Sequence, residues 1–187
     1  NDWFFGGKLQ NTGKGRNYGL DITFEKYLSG GFYYMATASL FNSEYQGDDK
    51  VWRNTRYNRN FALNFLTGKE WLLGKNKNHI LNLNARLSFQ GGDHYSPINT
   101  AASIASQRVI FDETQAFSQQ YTPAFTSHFT ASYKLNKKKT AHEFALKIIN
   151  LTQYKEYMGF QYNYLAQTVD TKREAVFIPN LSYKIDF

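Results

Sequence analysis

Alternation of apolar and polar side chains is the feature that most constrains how this chain of 187 residues can fold. A period of two residues predicts β-strands, because successive side chains of a strand point to opposite faces of the sheet. The pattern is clearest at residues 80–90, where apolar residues Leu81, Leu83, Ala85, Leu87 and Phe89 alternate with Asn82, Asn84, Arg86, Ser88 and Gln90. The sequence therefore predicts an all-β protein built from two-faced strands.

The same pattern recurs along the chain and predicts about seven antiparallel strands. They are expected at residues 18–25, 32–41, 60–65, 80–90, 125–135, 144–150 and 180–187. The second of these is apolar on both faces, and the sixth is less regular because Ile148 and Ile149 are both apolar. Residues 2–9 are a weaker candidate for an eighth strand, since Gly6 and Gly7 interrupt a short segment.

The connections between the predicted strands alternate in length. Residues 29–31, 74–78 and 136–140 form short connections, whereas residues 46–56, 91–122 and 153–175 form long ones. Outer-membrane barrels show this alternation, because their short turns face the periplasm and their long loops face the outside. The chain is therefore predicted to be a set of transmembrane β-barrel strands in a bacterial outer membrane.

Composition is consistent with a membrane barrel and excludes a helical membrane protein. Mean hydropathy is −0.57, and no segment approaches the ~20 apolar residues that a spanning helix needs. Aromatic residues make up 18% of the chain, and those near strand ends suit the aromatic girdles of a bilayer-spanning barrel: Tyr18, Tyr34, Trp71, Tyr133 and Tyr183. A soluble β-sheet binding domain, with these aromatics packed between sheets, remains the alternative.

The net charge of +7 does not predict nucleic-acid binding, since the lysines cluster in separate polar turns at residues 75–77 and 137–139.

The chain has no cysteine, which excludes disulfides, zinc–thiolate sites and a cysteine nucleophile. Its first residues show no basic segment followed by an apolar core. Any export signal is therefore expected upstream of this chain or already removed.

No pattern of catalytic residues is present, so the chain is not expected to be an enzyme. The four histidines fall on different strands or loops without the spacing of metal ligands. Asp93-His94 lacks an accompanying nucleophile or second acidic pair, and Gly13-Lys-Gly15 lacks the ending of a phosphate-binding loop. Neither a cofactor nor a metal ion is predicted.

Several segments resemble late barrel strands of TonB-dependent outer-membrane receptors, particularly those with a carboxypeptidase-like regulatory domain at the N-terminus. The similar segments are residues 13–28, 54–58, 68–71, 91–98, 142–146, 150–152 and 177–187. None of these motifs is specific alone, but their order and spacing match over nearly the whole chain. The resemblance identifies residues 1–187 as the C-terminal segment of the receptor barrel.

The resemblance implies a plugged barrel of about 22 strands that imports a scarce nutrient such as an iron–siderophore complex, haem, cobalamin, an oligosaccharide or a peptide. The plug and the segment that contacts the TonB complex are then expected outside this chain. A surface lipoprotein is a further implied partner. A complete barrel of about eight strands, with an adhesive or structural role, remains the alternative.

The longest connection supplies the candidate ligand-binding residues, because long loops on a rigid scaffold commonly carry the residues that bind ligands. The candidates combine charged and aromatic side chains: Asp93, His94, Tyr95, Arg108, Asp112, Glu113, Phe117 and Tyr121. A loop that only packs over the barrel mouth is the alternative.

Another long loop is flanked by Arg53, Arg56 and Arg59. These arginines are candidates to bind outer-leaflet lipid phosphates, as in lipopolysaccharide.

The last strand is also a candidate signal for barrel assembly. Outer-membrane barrels commonly end in Phe preceded by apolar residues at alternate positions, and the assembly machinery recognises such a strand by adding it to a sheet edge. The four residues that fit are Leu181, Tyr183, Ile185 and Phe187. The simpler interpretation, that they are lipid-facing strand residues, is compatible with this role.

Overall fold

The computed structural model of the chain describes residues 12–187. The β-strands are β1 (Lys14–Ser29), β2 (Phe32–Gln46), β3 (Trp52–Asn54), β4 (Phe61–Leu73), β5 (His79–Gln90), β6 (His94–Tyr95), β7 (Gln119–Gln120), β8 (Ala124–Asn136), β9 (Ala141–Ile149), β10 (Lys155–Asn163), β11 (Thr168–Ala175) and β12 (Ile178–Asp186). A short helix α1 (Thr100–Ser106) and a 3₁₀ turn (Glu113–Gln115) complete the elements. The predicted all-β, antiparallel class is confirmed.

The main sheet contains seven long strands in the order β1-β2-β4-β5-β8-β9-β12, and the short β3 pairs with the end of β2. Each of the seven overlaps one strand predicted from the alternation of side chains. Within residues 12–187, β1 pairs only with β2 and β12 pairs only with β9, so the sheet is open at both edges. The candidate eighth strand at residues 2–9 lies outside the described residues.

The connections differ in structure as well as in length. The short β1–β2 turn is made by Gly30 and Gly31, both at positive φ, which glycine adopts without steric cost. The long connections are not plain loops as predicted: residues 91–123 contain α1 and the small β6–β7 ladder, and residues 153–175 contain the β10–β11 hairpin. No helix in the described part of the chain is long and apolar enough to cross a membrane.

Strand register places most of the exposed large apolar side chains of the seven long strands on one face. Phe24 lies opposite Ala36, Ala36 opposite Phe65, and Phe65 opposite Leu87. Because the side-chain period is two, this register also aligns every other residue of these strands on that face. We call this surface the apolar face.

The opposite face carries polar side chains that hydrogen-bond across strands. Nδ2 of Asn64 donates to Oγ1 of Thr37 at 3.4 Å, and Oγ of Ser88 donates to Oδ1 of Asn64 at 2.7 Å. Nearer the short turns, Nδ2 of Asn82 donates to Oε1 of Glu70 at 3.0 Å. These side chains satisfy one another, which removes part of the cost of holding polar groups together on one surface.

Within residues 12–187, no other part of the chain covers the apolar face. No hydrophobic side chain among the described residues is buried, and Leu20, Phe24 and Leu181 have exposed fractions of 58%, 62% and 82%. A soluble domain of this size buries an apolar core, because that burial is the main favourable contribution to folding. This sheet instead presents its large apolar side chains outward.

Candidate functional site

The candidate site lies at the end of the sheet where the long connections meet. A cleft of about 310 Å³ lies among residues 56–59, residues 90–93, residues 121–124 and strand β10. It is lined by Arg56, Arg59, Gln90, Gly91, Gly92, Asp93, Tyr121, Thr122, Ala124, Tyr154, Glu156, Tyr157, Met158 and Gly159. Gln90 and Ala124 are register partners that end β5 and begin β8, on the polar face of the sheet.

Asn58 holds the connection that follows β3. Its side chain is fully buried, with Oδ1 accepting a hydrogen bond from the backbone N–H of Ser43 at 2.9 Å. Its Nδ2 donates to Oδ1 of Asn42 and of Asn54, each at 2.8 Å. A buried amide with these partners fixes the backbone on both sides of it, so that neighbouring Arg59 enters the cleft from a defined position.

An ion pair joins this connection to the longest one. Nε of Arg59 donates to Oδ1 of Asp93 at 2.7 Å, while Nε of Arg56 lies 4.0 Å from the other carboxylate oxygen. The Asp93 side chain is largely screened from solvent, whereas the Arg56 side chain is half exposed. Asp93 therefore forms its hydrogen bond with Arg59. The guanidinium of Arg56, which also lines the cleft, retains N–H groups that are not used by Asp93.

Two glycines allow these connections to approach closely. A Cβ atom on Gly91 would lie 1.8 Å from the carbonyl oxygen of Arg59, and one on Gly92 would lie 2.2 Å from that of Tyr121. Both distances are far below van der Waals contact, so any larger residue would push the backbones apart. Paired glycines at residues 91–92 are therefore required by the packing of the cleft floor.

His94 is buried behind the cleft. Its exposed fraction is 7%, and its Nδ1 atom has no hydrogen-bond partner among the described residues. Burial lowers the pKa of His94, although a hydrogen bond to the backbone of Asn58 and the charge of Asp93 partly oppose this shift. The imidazole is therefore neutral at physiological pH, with Nδ1 as an acceptor.

Stacked aromatic rings connect residues 91–123 to the β10–β11 hairpin. The Tyr121 ring stacks on Tyr95, with centroids 4.3 Å apart, and on Tyr157 at 4.5 Å. Phe160 packs against Tyr95 at 5.2 Å, and the guanidinium carbon of Arg173 lies 3.9 Å from the Tyr157 centroid. Burial among these rings raises the pKa of Tyr121 to about 12. We call residues Tyr95, Tyr121, Tyr157 and Phe160 the aromatic stack.

The hairpin is also tied to the end of β9 by Asn150. Oδ1 of Asn150 accepts a hydrogen bond from the backbone N–H of Tyr154, and its Nδ2 donates to the Tyr154 carbonyl oxygen, both at 2.9 Å. The Tyr154 hydroxyl in turn donates to the carbonyl oxygen of Pro123 at 2.8 Å. Asn150 therefore fixes the start of the connection that follows β9 and positions Tyr154 in the cleft wall.

A second cavity of about 110 Å³ adjoins the cleft and shares Arg56, Tyr121 and Gly159 with it. Its wall includes the neutral imidazole of His94 and the hydroxyl of Ser96, which donates to Oε2 of Glu113 at 3.1 Å. The remainder is aromatic and is formed by Tyr95, Phe111, Phe117 and Phe160. The two cavities together combine apolar surface with a few convergent polar groups, as ligand sites commonly do.

Six of the eight ligand-binding candidates border these two cavities, namely Asp93, His94, Tyr95, Glu113, Phe117 and Tyr121. Arg108 lies apart and exposed, with its backbone N–H bonded to the Ser103 carbonyl. Asp112 caps the 3₁₀ turn by accepting hydrogen bonds from Thr114 and Gln115, which lower the pKa of its carboxyl. Arg108 and Asp112 are therefore placed outside the cavity walls.

Other residues of the cleft were not among the ligand candidates. Tyr154, Glu156 and Tyr157 belong to a segment predicted to be a plain loop, although its alternation over residues 155–163 is a signal for a strand. Arg56 and Arg59 were considered only for lipid phosphates. Arg53, the third residue of that group, pairs with Asp49 at 2.5 Å.

The groups that line the two cavities could hold a ligand that has both polar and apolar parts. Arg56 offers hydrogen-bond donors, His94 and Glu156 offer acceptors, and the aromatic stack supplies apolar surface. In the described part of the chain, no three His, Asp or Glu side chains are grouped so that they could hold a metal ion.

The candidate assembly residues lie on the apolar face of β12 and at its end. Leu181, Tyr183 and Ile185 face the same side as Leu146, Phe144 and His142 of β9. Phe187 follows the last strand residue and is almost fully exposed.

Comparisons with protein-family models, with curated protein sequences and with solved structures find no match to this chain.

Proposed function

We propose that this chain is the C-terminal part of the β-barrel of a TonB-dependent transporter in a bacterial outer membrane. The parent protein would import a scarce nutrient, such as an iron–siderophore complex, haem, cobalamin, a glycan or a peptide. In this proposal the seven strands form part of the barrel wall, the polar face lines the lumen, and the cleft lies at the mouth that meets the ligand.

The observation that carries the proposal is the uncovered apolar face. Keeping one large apolar side chain in water rather than in an apolar medium costs about 1.5–3 kcal/mol, and more than a dozen such side chains lie exposed on this face of the sheet. A lipid bilayer removes this cost for all of them at once. The seven strands have 9 to 16 residues, enough for the ~9–11 that a tilted transmembrane strand needs.

The open edges of the sheet favour part of a larger barrel over a complete small one. Backbone N–H and C=O groups at a strand edge cannot be left unpaired in lipid, so β1 and β12 each need a further strand beside them. A complete eight-stranded barrel with an adhesive or structural role is the second candidate. It would require β1 and β12 to be joined through a single additional strand.

The remaining partners follow from this proposal. The TonB complex would act on the plug, through the N-terminal part of the parent protein. The barrel-assembly machinery would recognise Leu181, Tyr183, Ile185 and Phe187, lipid and lipopolysaccharide would surround the barrel, and a surface lipoprotein would meet the long connections. No nucleic acid and no catalysed reaction are part of the proposal.

The first test is the location and denatured mass of the native polypeptide. An antibody against residues 177–187 is applied to soluble, inner-membrane and outer-membrane fractions of the source cells after denaturing electrophoresis. A transporter predicts a species several times heavier than the 21.7 kDa of this chain, present in the outer-membrane fraction and released only by detergent.

The other outcomes separate the alternatives. An outer-membrane species near 21.7 kDa would replace the transporter with the complete small barrel. A species of any mass that stays in solution without detergent would contradict both, and would support a soluble β-sheet domain whose apolar face is covered by another protein.

A further inference from the structure

Two lysines interrupt the apolar face near the short turns. Register pairs Lys26 of β1 with Tyr34 of β2, and Lys69 of β4 with Phe32 of β2. Phe32 is the first residue after the Gly30–Gly31 turn, so both lysines lie close to that edge of the sheet. Across the middle of this face, one row of register partners carries only uncharged side chains: Ile22, Ala38, Leu63, Phe89 and Phe125.

The two ammonium groups lie over aromatic rings of the same small surface. Nζ of Lys26 lies 5.7 Å from the ring centroid of Phe32, which is the register partner of Lys69. Nζ of Lys69 lies 5.2 Å from the ring centroid of Trp71. The Phe32 and Tyr34 centroids are 5.8 Å apart, so the ring beneath Lys26 belongs to a pair of packed aromatic side chains.

In the described part of the chain, these two charges have no acidic partner. Within residues 12–187, neither Lys26 nor Lys69 forms an ion pair, in contrast to Lys172 and Lys184, which pair with Glu174 and Asp186. Cation–π contacts contribute only about 0.5–1 kcal/mol at exposed sites and leave the ammonium donors free. Each lysine therefore retains hydrogen-bond donors that its aromatic contact does not use.

The depth of the two lysines in the bilayer indicates which kind of anion they can bind. A lysine on the lipid face costs about 2–4 kcal/mol at the middle of the bilayer but only about 0–1 kcal/mol near its surface, where aromatic girdles also lie. At that depth the abundant anions are lipid phosphates, and long lysine side chains reach them while their methylene groups stay against apolar surface.

We propose that Lys26 and Lys69, which lie over the rings of Phe32 and Trp71, bind the phosphate of an anionic phospholipid. This inference rests on the proposed membrane location. Short turns of outer-membrane barrels face the periplasm, so the site lies in the inner leaflet of the outer membrane. Lipopolysaccharide occupies the opposite leaflet, which leaves a phospholipid as the occupant.

The test is native mass spectrometry of the full native polypeptide that carries this chain, purified in detergent. It is mixed with phosphatidylglycerol or with phosphatidylcholine at equal concentration. The K26Q/K69Q variant is compared with K137Q/K138Q, which removes the same two charges from the polar β8–β9 turn at the same edge of the sheet. Thermal unfolding of each variant is measured to establish that it is folded.

The site predicts that the unaltered protein and K137Q/K138Q retain phosphatidylglycerol in preference to phosphatidylcholine, and that K26Q/K69Q retains at least fivefold less phosphatidylglycerol. Equal retention by folded K26Q/K69Q would overturn the inference. Displacement of the lipid by millimolar inorganic phosphate would also overturn it, since the site would then bind the free anion. A polypeptide that needs no detergent would instead contradict the proposed function itself.

Discussion

Nε of Arg59 donates a 2.7 Å hydrogen bond to Oδ1 of Asp93, which joins two connections that are 34 residues apart in the chain. The bond sets the width of the cleft, because Arg59 and Asp93 stand in its walls. Both side chains are partly buried. Charge-assisted hydrogen bonds of this kind contribute about 1.5–3 kcal/mol.

We expect Arg59→Gln to loosen residues 91–96 without unfolding the sheet. The substitution leaves the Asp93 carboxylate without its closest donor, and we expect backbone hydrogen exchange at Gly91 and His94 to accelerate about tenfold, which corresponds to about 1.4 kcal/mol. Arg53→Gln is the matched control, since Arg53 forms its ion pair with the nearby Asp49 and takes no part in the contact between the two connections. Unchanged exchange at Gly91 and His94 in Arg59→Gln would show that the ion pair does not hold the connection.

Removing the central ring of the aromatic stack should release the β10–β11 hairpin. Tyr121 stacks on both Tyr95 and Tyr157, and each such contact contributes about 0.5–1.5 kcal/mol beyond its buried area. Tyr121→Ala is therefore expected to increase protease cleavage within residues 155–175 at least tenfold. The control is Leu165→Ala at the fully exposed hairpin tip. Equal cleavage of the two variants would contradict a clamping role for the stack.

The burial of His94 predicts that the longest connection opens in acid. Its pKa is lowered in the folded state, so the open form binds a proton more readily than the closed one. The closed connection is therefore fully stable above the ordinary histidine pKa of about 6.5 and loses stability as pH falls below it.

Hydrogen exchange at the His94 amide, which donates to the Arg56 carbonyl at 2.8 Å, measures this opening between pH 7.5 and pH 5. Exchange rates are corrected for the intrinsic effect of pH. We expect the acid-dependent opening to disappear in His94→Gln and to persist in His79→Gln, a histidine at the opposite end of the sheet. A pH response that survives in His94→Gln would assign the opening to another group.

The two faces of β1 should respond oppositely to a new charge. Ile22 lies on the apolar face and is 56% exposed, whereas its neighbour Thr23 lies on the polar face opposite Thr37. An arginine on the lipid side near the bilayer middle costs about 2–4 kcal/mol. Ile22→Arg is therefore expected to lower the yield of folded protein in the outer membrane severalfold, while Thr23→Arg is tolerated.

This pair of variants is measured as the heat-modifiable fraction on electrophoresis of outer-membrane extracts. Equal yields of Ile22→Arg and Thr23→Arg would contradict the assignment of the apolar face to lipid. A reversed result, with only Thr23→Arg impaired, would mean that the polar face is the more tightly packed side.

The sequence was sufficient to predict the main sheet. A period of two residues is a local property of the backbone, so the alternation from Leu81 to Phe89 and from Leu181 to Phe187 predicts strands without knowledge of their partners. Short polar turns between successive strands also predict antiparallel neighbours. In the described residues, the main sheet contains seven long strands whose neighbours follow the order of the chain.

The candidate site was only partly predictable, because its contacts cross long separations in the chain. Asp93 and Tyr121 were identified as candidates by their place in the longest connection, but the pairing of Asp93 with Arg59 depends on how two connections fold over the same edge. The β10–β11 hairpin was missed, since glycine and polar residues obscure its alternation. A bulge between Tyr157 and Gly159 also shifts its register.

What the sequence by itself determined is the set of strands and the apolar character of one side of each, since both follow from residue order along a single segment. Only the tertiary structure decided the alignment of those sides into one uncovered face, because register depends on hydrogen bonds between strands. It also decided the cleft, where Asn58, Gly91 and the aromatic stack bring together segments that no local pattern connects.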